Sequence, residues 1–224
     1  MNTDKGTAFN GLVSGQSYDI FARLFGLNAS FYAAAVKGLA LGPEMSALDL
    51  GCGTGSLTFA LAAQSSPQCR IHGLDLAENQ IARAQYRQKD YPNNIHFSVA
   101  SMDEACFPDG TFSIIMTAMA LHEANPQARR TAIANAARML APDGIFLLVD
   151  IARPRLRGLG LLLYPFVMTS AKHKDGLTEA YAEICAAHGL SRREDGYLNS
   201  LVRRQVFVKN AAFRRIARQE VTPA

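Results

Sequence analysis

The sequence predicts an α/β fold: one doubly wound domain on a mostly parallel, seven-stranded sheet with helices on both faces. Three observations predict it. Short apolar runs alternate with stretches whose apolar residues recur at helical spacing, the pattern of repeated βα units. A glycine-rich loop, Gly51-Cys52-Gly53-Thr54-Gly55, follows the first run at once. An acid, Asp75, ends the second run twenty positions beyond Gly55. A chain of 224 residues suits one domain, and 49% hydrophobic with 19% charged residues is a globular composition.

The elements follow in order. Met1 to Gly15 reads as loose. Tyr18 to Leu39 carries apolar residues at helical spacing (Ile20, Phe21, Leu24, Phe25, then Phe31, Tyr32, Ala35, Val36, Leu39), predicting one or two helices broken near Gly26-Leu27-Asn28. Ala47–Leu50 is a strand and Ser56–Ala63 a helix. Ile71–Leu76 is a strand, and a helix runs from Asn79 to Gln88. Ile95–Val99 and Phe112–Met119 are strands, the latter continuously apolar as in a sheet buried on both faces. Pro126–Leu140 is helical, Pro142-Asp143-Gly144 a turn, and Ile145–Ile151 a fifth buried strand. Pro154 to Asp175 is irregular and partly amphipathic. Thr178–His188 is a helix stopped by Gly189, and strands near Arg193–Leu198 and Val202–Val208 close the chain.

The net charge is +4 and the pI about 9.0. Arg153, Arg155 and Arg157 form one basic cluster; Arg192, Arg193, Arg203, Arg204, Lys209, Arg214, Arg215 and Arg218 form another. Such charge suits either a solvated face or an acidic partner. Cys52, Cys69, Cys106 and Cys185 show no CxxC spacing, so no metal site is expected, and free thiols fit a reducing compartment. The first residues hold no apolar signal core, and the apolar run Leu159–Val167 is shorter than the ~20 residues of a membrane span. A cytoplasmic protein is expected.

Glycines between strand and helix allow a tight turn and a close backbone approach to a ligand. The following helix offers free N–H groups to an anion. Asp75 at the end of the second strand suits the hydroxyls of a ribose, or else caps the next helix. A dinucleotide site wants a third glycine where Ser56 stands, and a phosphate against the loop. Asp49 before the loop instead suits a ligand with a cationic ammonium end. S-adenosylmethionine has that ammonium, a sulfonium and an adenosine, and no phosphate.

Asp49-Leu50-Gly51-Cys52-Gly53-Thr54-Gly55 resembles the first motif of class I S-adenosylmethionine-dependent methyltransferases, and the chain resembles the small-molecule branch of ubiquinone and menaquinone biosynthesis from about Tyr18 to Pro154. Phe107-Pro108-Asp109-Gly110-Thr111-Phe112, the segment Thr117 to Glu123 and Arg138 to Gly144 resemble later motifs of that branch. The resemblance implies a Rossmann-like core over 41–152 that binds the cofactor. It implies a helical cap or substrate segment over 1–40, a variable lid or substrate segment over 153–176, and completion of the sheet with a basic tail over 177–224. It places the methionine portion against Asp49, Gly51, Cys52, Gly53 and Gly55, and the ribose and adenine against Asp75 and Leu76. Thr117, and Tyr18 of a Tyr-Asp pair, join the cofactor set; the alternative for Tyr18 is helix packing. Ser101 stands where the family has an Asp toward adenine, so Ser101, a backbone group or Asp103 takes that place, with Met102 beside the ring. Pro142-Asp143-Gly144 replaces Pro-Gly-Gly, and Ser113 replaces a common Asp.

Methyl transfer from a sulfonium needs alignment and exclusion of water; only a phenol, hydroxyl or carbon acid benefits from a base. His122 beside Glu123 is a candidate base, or else a structural or cofactor-edge residue. His173 and Tyr164 are candidates to face the acceptor, or else are loop and packing residues. The apolar, arginine-flanked segment Arg153–Lys174 reads as a lid over an apolar or aromatic substrate, as a homodimer surface, or as a peripheral membrane contact. The expected activity is methylation of a small or lipid-like acceptor. An RNA methyltransferase, a nicotinamide-dependent dehydrogenase and a non-catalytic partner protein are the alternatives. No Pro-Pro-Tyr-type segment occupies Thr117–Leu121, which disfavours a nucleic-acid substrate.

Overall fold

The computed structural model describes residues 27–153 and 180–209. Seven strands form one sheet: β1 (Ser46–Leu50), β2 (Arg70–Asp75), β3 (Asn94–Val99), β4 (Phe112–Ala118), β5 (Leu140–Ile151), β6 (Leu190–Tyr197) and β7 (Val202–Lys209). Their order is β3-β2-β1-β4-β5-β7-β6; the first five run parallel, and β7 is antiparallel to both β5 and β6. The helices are α1 (Ala29–Ala35), α2 (Ser56–Ala62), α3 (Glu78–Gln88), α4 (Pro126–Met139) and α5 (Ala180–Ala187). This is the expected doubly wound, Rossmann-like sheet. One buried cluster joins Phe31 of α1, Leu57 and Phe59 of α2 and Ile81 of α3 to one face; the other joins Ala132 and Ile133 of α4 and Tyr181 and Cys185 of α5 to the opposite face.

Local chemistry explains the boundaries. Asn28 caps α1 by accepting from the Phe31 N–H at 3.0 Å, so the expected break ends in an N-cap. Asn125 caps α4 in the same way, accepting from the Ala128 N–H at 2.8 Å, with Pro126 in its first turn. The largest departures from expectation are at the end of α1, which stops at Ala35 rather than Leu39, and at the starts of β5 and β6. β5 starts at Leu140, because Leu140 pairs with Phe112 before a register shift, and the Pro142-Asp143-Gly144 corner lies within the strand. β6 starts at Leu190 and is charged and exposed through its middle, so it lacks the alternation that marks a half-buried strand. Such charge protects a sheet edge from pairing with another chain.

The strand order reverses between β1 and β4, so their C-terminal ends open a crevice where ligands bind in this architecture. The glycine loop after β1 and the turn after β4 both stand there. Among the described residues no helix is long and apolar enough to cross a membrane, and no group of three or more His, Cys, Asp or Glu could hold a metal.

Candidate functional site

Between β1 and α2 the chain bends through three left-handed glycines, with φ of 72° at Gly51, 52° at Gly53 and 81° at Gly55. Side chains rarely adopt these angles. The turn is closed by the Gly51 and Cys52 N–H groups donating to Leu74 O at 2.8 Å, and by the Gly55 N–H donating to Cys52 O at 2.9 Å. A Cβ on Gly51 would lie 2.4 Å from that of Ala120, so the loop touches the segment after β4. At Gly53 a Cβ would meet nothing within 4 Å. The loop therefore packs tightly at its start and faces open space at its middle.

Asp49 lies in β1 just beneath this loop, 1% exposed. Its Oδ2 accepts from Thr58 Oγ1 at 2.6 Å, while Oδ1 is buried without a partner. Burial raises its pKa from 3.8 to about 7; the Thr58 hydrogen bond opposes that and the charge of Asp75 adds to it. A buried acceptor without a partner is costly, and it fits a ligand that brings a cationic donor.

Asp75 belongs to the loop as much as to β2. Its Oδ2 accepts from the Gly53 N–H at 2.8 Å and its Oδ1 from the Ala77 N–H at 2.9 Å. The cap of α3 is Ala77, so Asp75 is not its N-cap. Burial pushes the Asp75 carboxyl up against the pull of these two hydrogen bonds. Cys52 is a buried thiol, raised well above its ordinary value by desolvation, then by Asp49 and Asp75, and it stays protonated. Leu76 is half-buried at the exit of β2.

The corner after β3 is held by its own side chains. Ser101 is buried and its hydroxyl donates to the Asp103 carboxylate. The Asp103 carbonyl accepts from Asn135 Nδ2 at 2.9 Å. The Met102 methyl comes 3.3 Å from where a Cβ on Gly51 would stand. Asp49, the glycines, Asp75 and Met102 thus converge on the end of β1. Thr117 does not join them. By strand alternation its side chain shares a face with Ile115, opposite Asp49's neighbour Met116, and its Oγ1 is buried without a partner.

A second polar group follows β4. Met119 takes a left-handed φ of 55°, uncommon for a side chain, and its N–H donates to Val149 O at 2.8 Å. The 3-10 turn Leu121–Glu123 then places His122 on Asp150 of β5. Asp150 is 2% exposed and accepts from four groups: the His122 N–H at 3.0 Å, His122 Nδ1 at 2.6 Å, the Ile151 N–H at 2.8 Å and Tyr181 Oη at 3.3 Å. His122 Nε2 lies 3.2 Å from Glu123 Oε1. Burial alone would lower the His122 pKa, but Asp150 and then Glu123 outweigh it and raise it to about 10. The ring is a cation at neutral pH with both nitrogens committed, a poor arrangement for a base. Buried Arg129 completes the scaffold, donating to Leu121 O at 3.1 Å and Ala124 O at 3.0 Å.

Tyr18, Tyr164 and His173 lie outside the described residues. Thr58, Arg87, Asp150 and Tyr181 join these groups without a motif in the sequence to mark them. Only Asp150 carried a visible signal, an acid inside an otherwise apolar strand.

A family model described as a methyltransferase domain matches residues 47–144. A 2-phytyl-1,4-naphtoquinone methyltransferase of Thermosynechococcus vestitus is 33% identical, over 70% of this chain and 70% of the relative. An uncharacterized methyltransferase of Synechocystis is 32% identical over 61% of this chain, and the match spans only 63% of that relative's length. Among solved structures, a TehB-like SAM-dependent methyltransferase of Corynebacterium glutamicum superposes with a TM-score of 0.61 at 19% identity, over 86% of this chain and 97% of that one.

Proposed function

Because the chain belongs to the class I S-adenosylmethionine-dependent methyltransferases of the ubiquinone and menaquinone type, we propose that it methylates a small apolar, aromatic or lipid-like acceptor by in-line displacement. The observation that carries this reading is Asp49 Oδ1, a buried carboxylate oxygen without a partner, under a loop that opens at Gly53. An α-ammonium answers that oxygen, and no phosphate is needed. Each Asp75 oxygen already accepts one N–H and keeps capacity for a ribose hydroxyl, because a carboxylate offers about four acceptor sites. Leu76 and Met102 provide apolar surface for adenine, and Ser101 and Asp103 form its polar edge. The naphthoquinone relative supports an aromatic, lipid-like acceptor.

When bound, the cofactor supplies a methyl group on a sulfonium, which leaves as a neutral thioether. The residues of this chain then have to align the acceptor and exclude water. His122, held as a cation by Asp150 and Glu123, fixes the turn at the acceptor side and takes no proton. Any base comes from elsewhere, with Tyr164 and His173 as the candidates to meet the acceptor. Calorimetric titration with S-adenosylmethionine, S-adenosylhomocysteine and NAD tests the reading. Binding of the first two without NAD is expected; binding of NAD alone would overturn it.

A further inference from the structure

Arg87 stands in the last turn of α3, remote in sequence from the glycine loop, yet it reaches the loop with three hydrogen bonds. Its Nη1 donates to Thr54 O at 2.7 Å, to Thr54 Oγ1 at 3.1 Å and to Ser56 Oγ at 3.2 Å. The guanidinium lies 4.8 Å from the centre of the Phe59 ring, and Phe59 stacks on Tyr91 at 4.3 Å with planes 17° apart. Phe59 is also the wall behind Gly55: a Cβ there would come 2.7 Å from Phe59 Cε2. One side chain therefore holds the polar edge of the loop and the ring behind it.

We propose that Arg87 is a positioning residue that braces residues 54–56 and so keeps the glycine loop in its cofactor-accepting shape. The proposal rests on the methyltransferase reading only for the identity of the ligand. Asp75 fixes the loop at Gly53, and Arg87 fixes Thr54 and Ser56 just beyond it, so the loop is held at its open middle and at its exit into α2. Among the described residues Arg87 has no carboxylate partner, so its donors go to the loop. An arginine suits this task, because one terminal nitrogen reaches the three loop acceptors, sharing its two hydrogens among them, while the guanidinium face stacks on a ring.

The test compares wild type, Arg87→Met, Arg87→Lys and Arg83→Met. Arg83 lies one turn earlier on α3 and stacks on Tyr86, and among the described residues it makes no hydrogen bond to the loop. Hydrogen exchange of the 51–58 segment in the cofactor-free protein reads the brace directly. Calorimetry with S-adenosylhomocysteine reads its consequence, and thermal unfolding is the control. Arg87→Met is expected to speed exchange in that segment and to weaken binding about tenfold, as loss of charge-assisted hydrogen bonds implies. Arg87→Lys, which keeps charge and ring contact, is expected to recover part of both. Arg83→Met is expected to leave both unchanged, whatever its melting temperature. Loop exchange in Arg87→Met equal to wild type, or affinity losses that follow melting temperature in both arginine variants alike, would overturn the proposal. Wild type failing to bind S-adenosylhomocysteine, with loop exchange still responding to Arg87, supports the brace and overturns the functional reading instead.

Discussion

The two ends of the candidate site handle polarity in opposite ways. Under the glycine loop, Asp49 keeps a buried oxygen without a partner and Gly53 faces open space. After β4, Asp150 accepts from four groups and commits both its oxygens, and through His122 it reaches Glu123. A protein tolerates an unmet buried acceptor where a ligand answers it; a saturated one holds the chain in place. The first end is thus built to receive, and the second to stay still. On the proposed function, this difference fits cofactor binding at one end and alignment of the acceptor at the other.

The sharpest way to break that comparison is Asp150→Asn. It leaves the half-buried His122 ring without its main counter-charge and the other donors to Asp150 with a weaker acceptor, and disrupting such a pair costs about 3 kcal/mol. His122 is expected to titrate near its ordinary 6.5 instead of about 10. The sign is fixed by the raised value: the wild-type pair stabilises fully below 6.5, and its contribution is lost as pH rises through about 10. Thermal unfolding and NMR titration of the ring check both. Affinity for S-adenosylhomocysteine should change less than about threefold, a factor near the noise of additivity between distant sites. A large loss would mean that the two ends are one unit.

Asp75→Ala tests the receiving end. It removes the acceptor of the Gly53 and Ala77 amides and of the proposed ribose contacts. Binding is expected to fall about a hundredfold, the worth of one or two charge-assisted hydrogen bonds. His122 should titrate as in wild type. Calorimetry that finds unchanged affinity would remove Asp75 from the cofactor site.

What the sequence revealed divides along the same line. The receiving end is contiguous: Asp49 and the glycines fall within seven residues, and Asp75 follows at one strand's remove, so spacing alone exposes it. The still end joins His122, Asp150 and Tyr181, which only the sheet brings together. No local pattern announces such a group, so the sequence leaves His122 open between a base and a structural or cofactor-edge residue, and does not name its partner in the sheet. The sheet itself was legible wherever strands are apolar on both faces, as in β4. It was blurred where strands are exposed, as in β6, or turn within themselves, as in β5. Arg87 was invisible for a further reason: a basic residue on a helix ordinarily faces solvent, and only its reach across to Thr54 gives it a task.

Proton linkage at Asp49 offers a finer test. Its carboxyl sits at about 7 when folded and 3.8 when exposed, so the folded state holds the proton between those values. The cofactor-free protein should therefore lose stability as pH rises from 3.8 to about 7. Cofactor affinity should move the other way, because an ammonium is answered by the carboxylate and not by the acid. Binding is expected to weaken about tenfold per pH unit below 7, and again above about 8, where an α-amino group loses its proton. Flat affinity from pH 5 to 7 would separate Asp49 from the ammonium.

The smallest effect is expected at the one group that crosses the comparison. Thr117 stands in β4 toward the still end, yet its Oγ1, like Asp49 Oδ1, is buried without a partner. If every unmet polar atom here awaited a ligand, Thr117→Val would weaken S-adenosylhomocysteine binding, in line with its place in the motif that resembles the cofactor set. The register argues for the other outcome, because its side chain shares the face of Ile115 and not that of the loop. A hydroxyl is also cheaper to leave unmet than a carboxylate, so it marks a ligand less strongly. Thr117→Val should leave affinity unchanged and raise stability by about 1 kcal/mol, the desolvation cost of one hydroxyl. Calorimetry and thermal unfolding on the same samples decide it: a tenfold loss of affinity would extend the receiving end across the sheet, and a gain in stability alone would confine it to β1 and β2.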